Sequence, residues 1–214
     1  MAHSPKLSIL IATIGQRQER FLELLEDLDD QMLDGVEVIA YWNNGELPLG
    51  EIRQTLVEAA KGDYICFVDD DDKLPTYYIR EILQAIRTKP DYVGWQMQLY
   101  TNGEKMKPTF HSLKYNNWSE DDDGYYRDVS HLNPVKRKIA KQVSFITPKG
   151  NAEDVPWARQ IRPLLSSEVY INKPMYFYRH STEDSHWRGE GVSNQNYQRP
   201  TITKPYFLYC VKGE

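Results

Sequence analysis

The chain has 214 residues, enough for one full α/β domain or for one domain with a modest appendage. It carries 26 Lys and Arg against 31 Asp and Glu, and this net charge of −5 argues against a protein that coats nucleic acid, although it leaves a local basic groove open. Cys66 and Cys210 are too few for a disulfide framework and lack metal-ligand spacing. The first apolar stretch, residues 7–12, is too short for a signal peptide or a membrane span, so we expect a soluble, cytoplasmic protein without membrane insertion.

Strand and helix patterns alternate along the first half of the chain. Short apolar runs are typical of buried parallel strands, and apolar residues at helical spacing separate these runs. The pattern predicts strands at 7–12, 36–41, 64–68 and 92–100, and helices at 21–32, at 52–60 and from Pro75 onward.

This alternation predicts a mainly parallel sheet, in which ligands bind beyond the carboxyl ends of the strands. Two polar segments follow predicted strands: the turn Asn43-Asn44-Gly45, and four consecutive aspartates at residues 69–72, here called the aspartate run. We therefore expect both segments at the ligand-binding edge of the sheet.

The second half of the chain is less regular. Residues 101–135 are polar and turn-rich, and a basic stretch follows at 136–141. The pattern predicts a helix at 153–165, short strands at 169–171 and 175–178, and loop or tail from Ser181 onward.

The aspartate run is electrostatically costly, because like charges a few ångströms apart raise each other's pKa. A divalent cation removes that cost, and hard carboxylate oxygens suit Mg²⁺ or Mn²⁺, which usually share their coordination with substrate phosphates. If the strand geometry continues, the side chains of Asp69 and Asp71 point the same way. The alternative is an acidic turn that caps the helix after Pro75. The later acidic run at 121–123 is predicted to be a solvated loop.

Several segments, in a consistent order, resemble the family-two glycosyltransferases of the GT-A fold. Residues 60–72 match the family's Ala-x-Gly-x-Tyr-Ile-x-Phe-x-Asp-x-Asp-Asp pattern almost position for position. The resemblance spans roughly residues 6–187 and rests on Leu7 to Thr13, the Asn43-Asn44-Gly45 turn, Arg53-Gln54, residues 60–72, Asn151-Ala-Glu153-Asp154-Val-Pro-Trp157, and Tyr176-Phe-Tyr-Arg-His180 followed by Ser185.

The resemblance implies an α/β fold with a mainly parallel sheet flanked by helices and a smaller acceptor-side α+β portion. It implies a nucleotide-sugar-binding half at 1–100, an acceptor-binding half of the same domain at 101–187, and a C-terminal tail or lid at 188–214.

The resemblance also implies a role for each matching residue. Asp154 is expected as the general base and Glu153 as its positioning neighbour. The expected nucleotide-sugar contacts are Thr13, Asn43, Arg53, Asp69 and Asp70; the expected metal ligands are Asp71, Asp69 and His180. Three positions depart from the family pattern. Ala12 replaces a proline, Asn43 replaces an aspartate that binds uracil, and Gln54 replaces an asparagine.

The implied reaction is an inverting transfer, dependent on Mn²⁺ or Mg²⁺, from a nucleoside diphosphate sugar to an acceptor hydroxyl. A UDP-sugar is the expected donor, and a glycan, a lipid-linked intermediate, a protein or a hydroxylated DNA base is the expected acceptor. DNA is not favoured, although the basic stretch at 136–141 is expected on the acceptor side. Whether His131, His180 or His186 reaches the metal stays open.

Two other classes of function compete. A nucleotidyltransferase also uses paired aspartates, but the segment at 11–17 lacks its Gly-rich basic loop. A non-catalytic module that only binds a nucleotide sugar is disfavoured by the presence of Asp69, Asp71 and Asp154.

Overall fold

The computed structural model describes residues 4–43, 47–146 and 153–181, together with the backbone of 206–211. Predictions about Asn44, Gly45, Asn151, Ala152, Ser185 and His186 lie outside these residues. The helices are α1 (Gln18–Asp29), α2 (Leu49–Ala59), α3 (Tyr78–Ala85), α4 (Arg137–Ala140) and α5 (Asp154–Ile161); the strands are β1 (Leu7–Ile14), β2 (Val36–Asn43), β3 (Tyr64–Phe67), β4 (Tyr92–Thr101), β5 (Glu104–His111), β6 (Ser119–Glu120), β7 (Tyr125–Arg127), β8 (Val135–Lys136), β9 (Glu168–His180) and β10 (Tyr206–Val211).

A parallel centre organises the sheet. β1 pairs in parallel with β2 on one side and with β3 on the other, as the apolar runs predict. The residues of these strands are almost all buried, and α1, α2 and α3 cover them with the apolar side chains that recur at helical spacing. Parallel pairing aligns the carboxyl ends of β1, β2 and β3 at one edge.

A glycine closes the opposite, amino-terminal edge of this parallel centre. A Cβ atom on Gly62 would lie 2.6 Å from the backbone nitrogen of Ser8, so no other residue fits there without displacing β1. The Gly62 amide donates hydrogen bonds to the Ser8 hydroxyl (2.8 Å) and to the Glu37 carboxylate (3.2 Å). These bonds fix the start of β3, and thereby the position at which the aspartate run leaves the sheet.

The second half of the chain extends the sheet through β4. This strand pairs antiparallel with β5 and β8 and in parallel with β9, so the sheet as a whole is mixed. The α/β class and the GT-A-like architecture are confirmed. β8 lies between β3 and β4 and is antiparallel to both, and further antiparallel pairs join β4 to β5, β6 to β7 and β2 to β10.

Four strands differ from the sequence-based expectation: β5, β7, β9 and β10. β5 and β7 lie in the segment that was expected to be turn-rich, and β9 is one long strand where two short strands were predicted. Register shifts opposite Trp95 and Gln96 in the β4–β9 pairing absorb the polar interruption near Pro174. β10 pairs antiparallel with β2, so the expectation of loop or tail is wrong for Tyr206–Val211.

The described part of the chain has no helix that is both long and apolar enough to cross a membrane.

Candidate active site

The aspartate run lies at the carboxyl edge of the parallel centre, as predicted. β3 ends at Phe67, and residues 70–71 form a turn, so the strand geometry does not continue into the run. As a result Asp69 and Asp71 bind different arginines, and Asp70 and Asp71 share one. The alternating arrangement that the spacing suggested is therefore wrong.

Asp69 faces the second half of the chain. Its carboxylate accepts a hydrogen bond from Arg53 at 3.1 Å and lies 4.0 Å from Nε2 of His131. Its backbone amide donates to the Tyr176 hydroxyl at 2.9 Å. Burial raises the pKa of Asp69, but the His131 and Arg53 side chains outweigh burial and hold that pKa well below its usual range. Asp69 is therefore ionised at neutral pH.

Arg53 joins the aspartate run to Glu153 and Asp154, here called the second acidic motif. One guanidinium nitrogen binds Asp69, and the other binds Glu153 at 2.8 Å. Arg53 and Glu153 are both buried, at 6% and 4% exposure, so this ion pair is removed from water. The predicted residues Arg53, Asp69 and Glu153 thus form one connected cluster.

A second arginine, which the sequence analysis did not select, neutralises the other side of the run. Arg17 lies 2.7 Å from the Asp70 carboxylate and 3.0 Å from that of Asp71. Burial raises the pKa of Asp70 and of Asp71, and Arg17 opposes this shift in both residues. The predicted contact residue Thr13 is buried and lowers the pKa of Asp70, which places it beside that carboxyl group.

Asp72 fastens the run to β9. Its carboxylate accepts a hydrogen bond from the backbone amide of Arg179 at 2.7 Å, and Arg179 Nε donates to the Asp71 carbonyl at 2.6 Å. Burial, with Asp69 and Asp71 nearby, raises the pKa of Asp72 well above its usual value. The role of Asp72 is therefore structural, because its carboxylate joins the run to β9.

The predicted ligands Asp69, Asp71 and His180 do not form a ready-made metal site. Within the described residues, no three His, Cys, Asp or Glu side chains are grouped so as to hold a metal ion. His180 ends β9 and lines a separate cavity with Arg20 and Lys73. The run fits only a site of the kind that Mg²⁺ favours, where one or two carboxylates act together with substrate phosphates.

Asn43 is the last residue of β2 and is only 2% exposed. Its amide nitrogen donates to the Leu47 carbonyl at 3.0 Å, and its amide oxygen accepts from the Leu47 amide at 3.3 Å. Both ends of the Asn43 amide therefore bind Leu47.

A cavity of about 490 Å³ opens beside Asp69 and contains both residues of the second acidic motif. Asp154 is the first residue of α5, and its carboxylate accepts a hydrogen bond from the Val155 amide at 2.9 Å. Among the described residues it has no ion pair, in contrast to Glu153. The same cavity is lined by side chains of β5, β7 and their connection: Thr109, His111, Trp118, Tyr125 and Arg127.

The basic stretch is not on the acceptor side, so that expectation is wrong. Lys136, Arg137 and Lys138 line another cavity with Lys6, which precedes β1, and Asp63, which precedes β3. This cavity therefore lies at the amino-terminal edge of the sheet, opposite the aspartate run.

Sequence reasoning missed Arg17 and gave too little weight to His131. The only signal for Arg17 was its place just after β1, since its partners are more than 50 positions away. His131 follows a turn-rich segment and lines the same cavity as Asp154.

Comparisons with known proteins agree with this geometry. A family model described as glycosyl transferase family 2 matches residues 9–145. No curated protein sequence matches the chain.

Similar solved structures include TarS from S. aureus. TarS 1–349 is 16% identical over 81% of this chain and 60% of that chain, with a TM-score of 0.62. The same TarS fragment in complex with UDP-GlcNAc is 16% identical over 87% of this chain and 62% of that chain, with a TM-score of 0.64. The fragment in complex with UDP is 17% identical over 84% of this chain and 62% of that chain, with a TM-score of 0.62.

The likeness to TarS shows a shared fold, and the chain spans about 60% of the length of TarS 1–349. The family model covers more than half of the chain, including β1, Arg53 and the aspartate run. The chain belongs to glycosyl transferase family 2.

Proposed function

We propose that the protein transfers a sugar from a nucleoside diphosphate sugar to an acceptor hydroxyl by direct displacement, with inversion at the anomeric carbon. The observation that carries this proposal is the single cavity that holds Asp69 of the aspartate run and Asp154 of the second acidic motif. Donor and acceptor groups can meet there between a cation-binding edge and a free carboxylate.

The donor diphosphate is assigned to the edge beside Asp69 and Asp71. Arg17 and Arg53 already bring positive charge to this edge. A uridine donor is supported by the TarS structures in complex with UDP-GlcNAc and with UDP. Thr13 and Asn43, at the ends of β1 and β2, are proposed to lie near the nucleoside.

Asp71 and Asp69 are proposed to hold Mg²⁺ or Mn²⁺ together with the donor phosphates. Their side chains are 19% and 29% exposed, so each carboxylate is accessible from the donor side. When bound, such an ion supplies positive charge that stabilises the leaving diphosphate. His180 stays a proposed ligand, since it follows Arg179, whose backbone amide binds Asp72.

Asp154 is proposed as the general base that takes the proton from the acceptor hydroxyl. A base must have a free lone pair within reach of that hydroxyl. Glu153 is buried and bound to Arg53, whereas Asp154 lines the cavity without an ion pair among the described residues. Glu153 instead positions the start of α5 through Arg53.

We place the reaction in the cytoplasm, since the free, buried thiol of Cys66 is typical of a reducing compartment. A DNA acceptor loses its main support, because the basic stretch lies at the opposite edge of the sheet.

Substitution Asp154→Asn tests the proposal. We expect acceptor-dependent transfer to fall by at least about 100-fold, the usual contribution of general base catalysis, while donor binding is unchanged. Asp34→Asn, an exposed aspartate outside the cavity, is the matched control. Full turnover by Asp154→Asn would contradict the assignment, and donor binding without any turnover in the unmodified chain would favour a non-catalytic module.

A further inference from the structure

The cavity that Asp154 lines also carries an aromatic surface that neither the sequence motifs nor the family match explains. Trp118 is 60% exposed, although large aromatic side chains are usually buried. It lines the cavity together with Tyr125 and Arg127. We call these three residues the Trp118 platform.

The exposed indole of Trp118 is held in place. Its Nε1 donates a hydrogen bond to Asp128 at 3.2 Å, and the Arg127 guanidinium carbon lies 4.6 Å from its ring centroid. An exposed aromatic ring that is fixed on one side and open on the other offers a flat apolar surface. Such a surface fits the C–H face of a sugar ring.

Tyr126, which lies between the platform residues Tyr125 and Arg127 in β7, is held by contacts with Phe110 and Asp121. Tyr126 stacks on Phe110 with ring centroids 5.4 Å apart and an interplanar angle of 14°, and its hydroxyl donates to Asp121 at 3.0 Å. The Asp121 carboxylate also accepts the backbone amides of Asp123 and Gly124. The acidic run at 121–123 is thus exposed, as predicted, and it also builds the turn that carries the platform.

Arg127 brings a positive charge to the cavity, and Glu120 lies close enough to raise its pKa. Nη1 donates to the carbonyl groups of Ser119 and Tyr126, at 3.0 and 2.9 Å, and no carboxylate of the described residues lies within ion-pair distance. Burial lowers the pKa of Arg127, and a bound anion would reverse this effect. The remaining guanidinium N–H groups suit a phosphate or a carboxylate.

The neighbouring surface favours a single anionic group over a polyanion. Glu120, Asp121, Asp122 and Asp123 are all exposed beside the platform, and a nucleic acid strand passing there would meet their repulsion. His111, in the same cavity, adds no charge at neutral pH, because burial lowers its pKa to about 3.

Resting on the proposed transferase function, we propose that the Trp118 platform binds the acceptor, and that the acceptor is a sugar unit bearing one anionic group. Trp118 stacks on the sugar ring, and Arg127 pairs with its phosphate or carboxylate. The acceptor hydroxyl then faces Asp154 across the cavity.

The test measures binding of glucose 6-phosphate, glucuronate and glucose to the full chain by the NMR shift of the Trp118 indole N–H, which Trp118→Phe assigns. We expect the two anionic sugars to bind at least about tenfold more tightly than glucose. Arg127→Gln should remove this preference, so that the two anionic sugars bind no more tightly than glucose. For variants at Trp118, binding is followed by the shifts of the sugar protons: Trp118→Ala should weaken all three, and Trp118→Phe should restore most of the affinity.

Lys114→Gln is the matched control, since Lys114 also lies over a tyrosine ring but does not line the cavity. Equal affinity for charged and neutral sugars, no shift of the indole N–H, or tighter binding of a single-stranded DNA oligonucleotide would each overturn the inference. UDP binding by the Trp118 and Arg127 variants should match that of the unmodified chain. A chain that binds no nucleoside diphosphate contradicts the transferase function separately, whatever the sugar probes show.

Discussion

Arg53 is the residue on which the two acidic motifs depend. It is buried and bridges Asp69 and Glu153, and its guanidinium carbon lies 5.6 Å from the centroid of the Phe67 ring. Removal of one partner from a buried ion pair leaves an uncompensated charge, which is far more costly than removal of both partners.

We therefore expect Arg53→Met to lower the free energy of unfolding by about 3–5 kcal/mol, because it strands the Glu153 carboxylate. The double variant Arg53→Met, Glu153→Leu should recover part of this loss, with an interaction energy of about 1–3 kcal/mol. Urea unfolding of the four proteins in this cycle measures both values. Strict additivity would show that the pair is not coupled.

At the scale of single residues, the members of the sequence motifs could be predicted, but the residues that bind them could not. Asp69, Arg53, Glu153 and Asp154 were selected from the sequence, and the structure brings all four to one cavity. Arg17 was missed because a lone arginine carries no sequence signal for partners that are distant in the chain. Trp118 was missed because an exposed tryptophan and a buried one look the same in a sequence.

The aspartate run acts as one element that two arginines hold together. Arg17 contacts both Asp70 and Asp71, whose pKa values are raised by burial even in its presence. When folding raises the pKa of an aspartate, the contribution of that residue to the stability of the protein falls as pH rises above its unfolded-state pKa near 3.9. Arg17 offsets that loss.

The destabilisation caused by Arg17→Gln should therefore be smaller at pH 4.5, closer to the range in which these carboxyl groups take up protons, and should grow toward pH 7. Urea unfolding at pH 4.5 and pH 7 measures this difference. The exposed Arg159→Gln is the control and should show no such growth. An equal loss at both pH values for Arg17→Gln would contradict the proposed role of Arg17.

A second polar anchor joins β4 to the segment before β9. The Asp91 carboxylate binds Lys136 at 2.8 Å, the Ser166 hydroxyl at 2.7 Å and the backbone amides of Ser166 and Ser167 at 3.1 and 3.2 Å. Burial raises the pKa of Asp91, but Lys136 and Ser166 outweigh it and hold that pKa below its usual range.

A lowered folded-state pKa gives stability that is present above the unfolded value near 3.9 and lost as pH falls through the folded one. We expect Asp91→Asn to lower the free energy of unfolding by about 1–3 kcal/mol at pH 7 and to have a smaller effect at pH 3. Chemical denaturation at the two pH values checks this. A larger loss at pH 3 than at pH 7 would contradict it.

Among the elements, the parallel strands were predictable because a strand buried on both faces is an apolar run. β5 was missed because its sequence, Glu-Lys-Met-Lys-Pro-Thr-Phe-His, has neither an apolar run nor a clear alternation. β10 was missed because pairing with the distant β2 depends on tertiary contacts that local sequence does not record.

On the scale of the whole molecule, the sheet separates two regions of opposite charge. The carboxyl edge carries the aspartate run and the cavity with Asp154, and the amino-terminal edge carries the basic cavity around Lys136. The fold class could be predicted from the strand-helix alternation. The position of the basic stretch could not be predicted, because it depends on β8 running antiparallel beside β3.

The central claim is that the carboxyl edge binds a nucleoside diphosphate sugar with a divalent cation. The most direct test is a thermal unfolding panel of nucleoside diphosphates and sugar nucleotides, with and without Mn²⁺. A ligand at 100 times its dissociation constant adds about 2.7 kcal/mol, which for a chain of this size raises the Tm by roughly 5–10 °C. We predict such a rise for a UDP-sugar only with Mn²⁺, and its loss in Asp71→Asn; no rise with any nucleotide, or an equal rise without metal, would contradict the account.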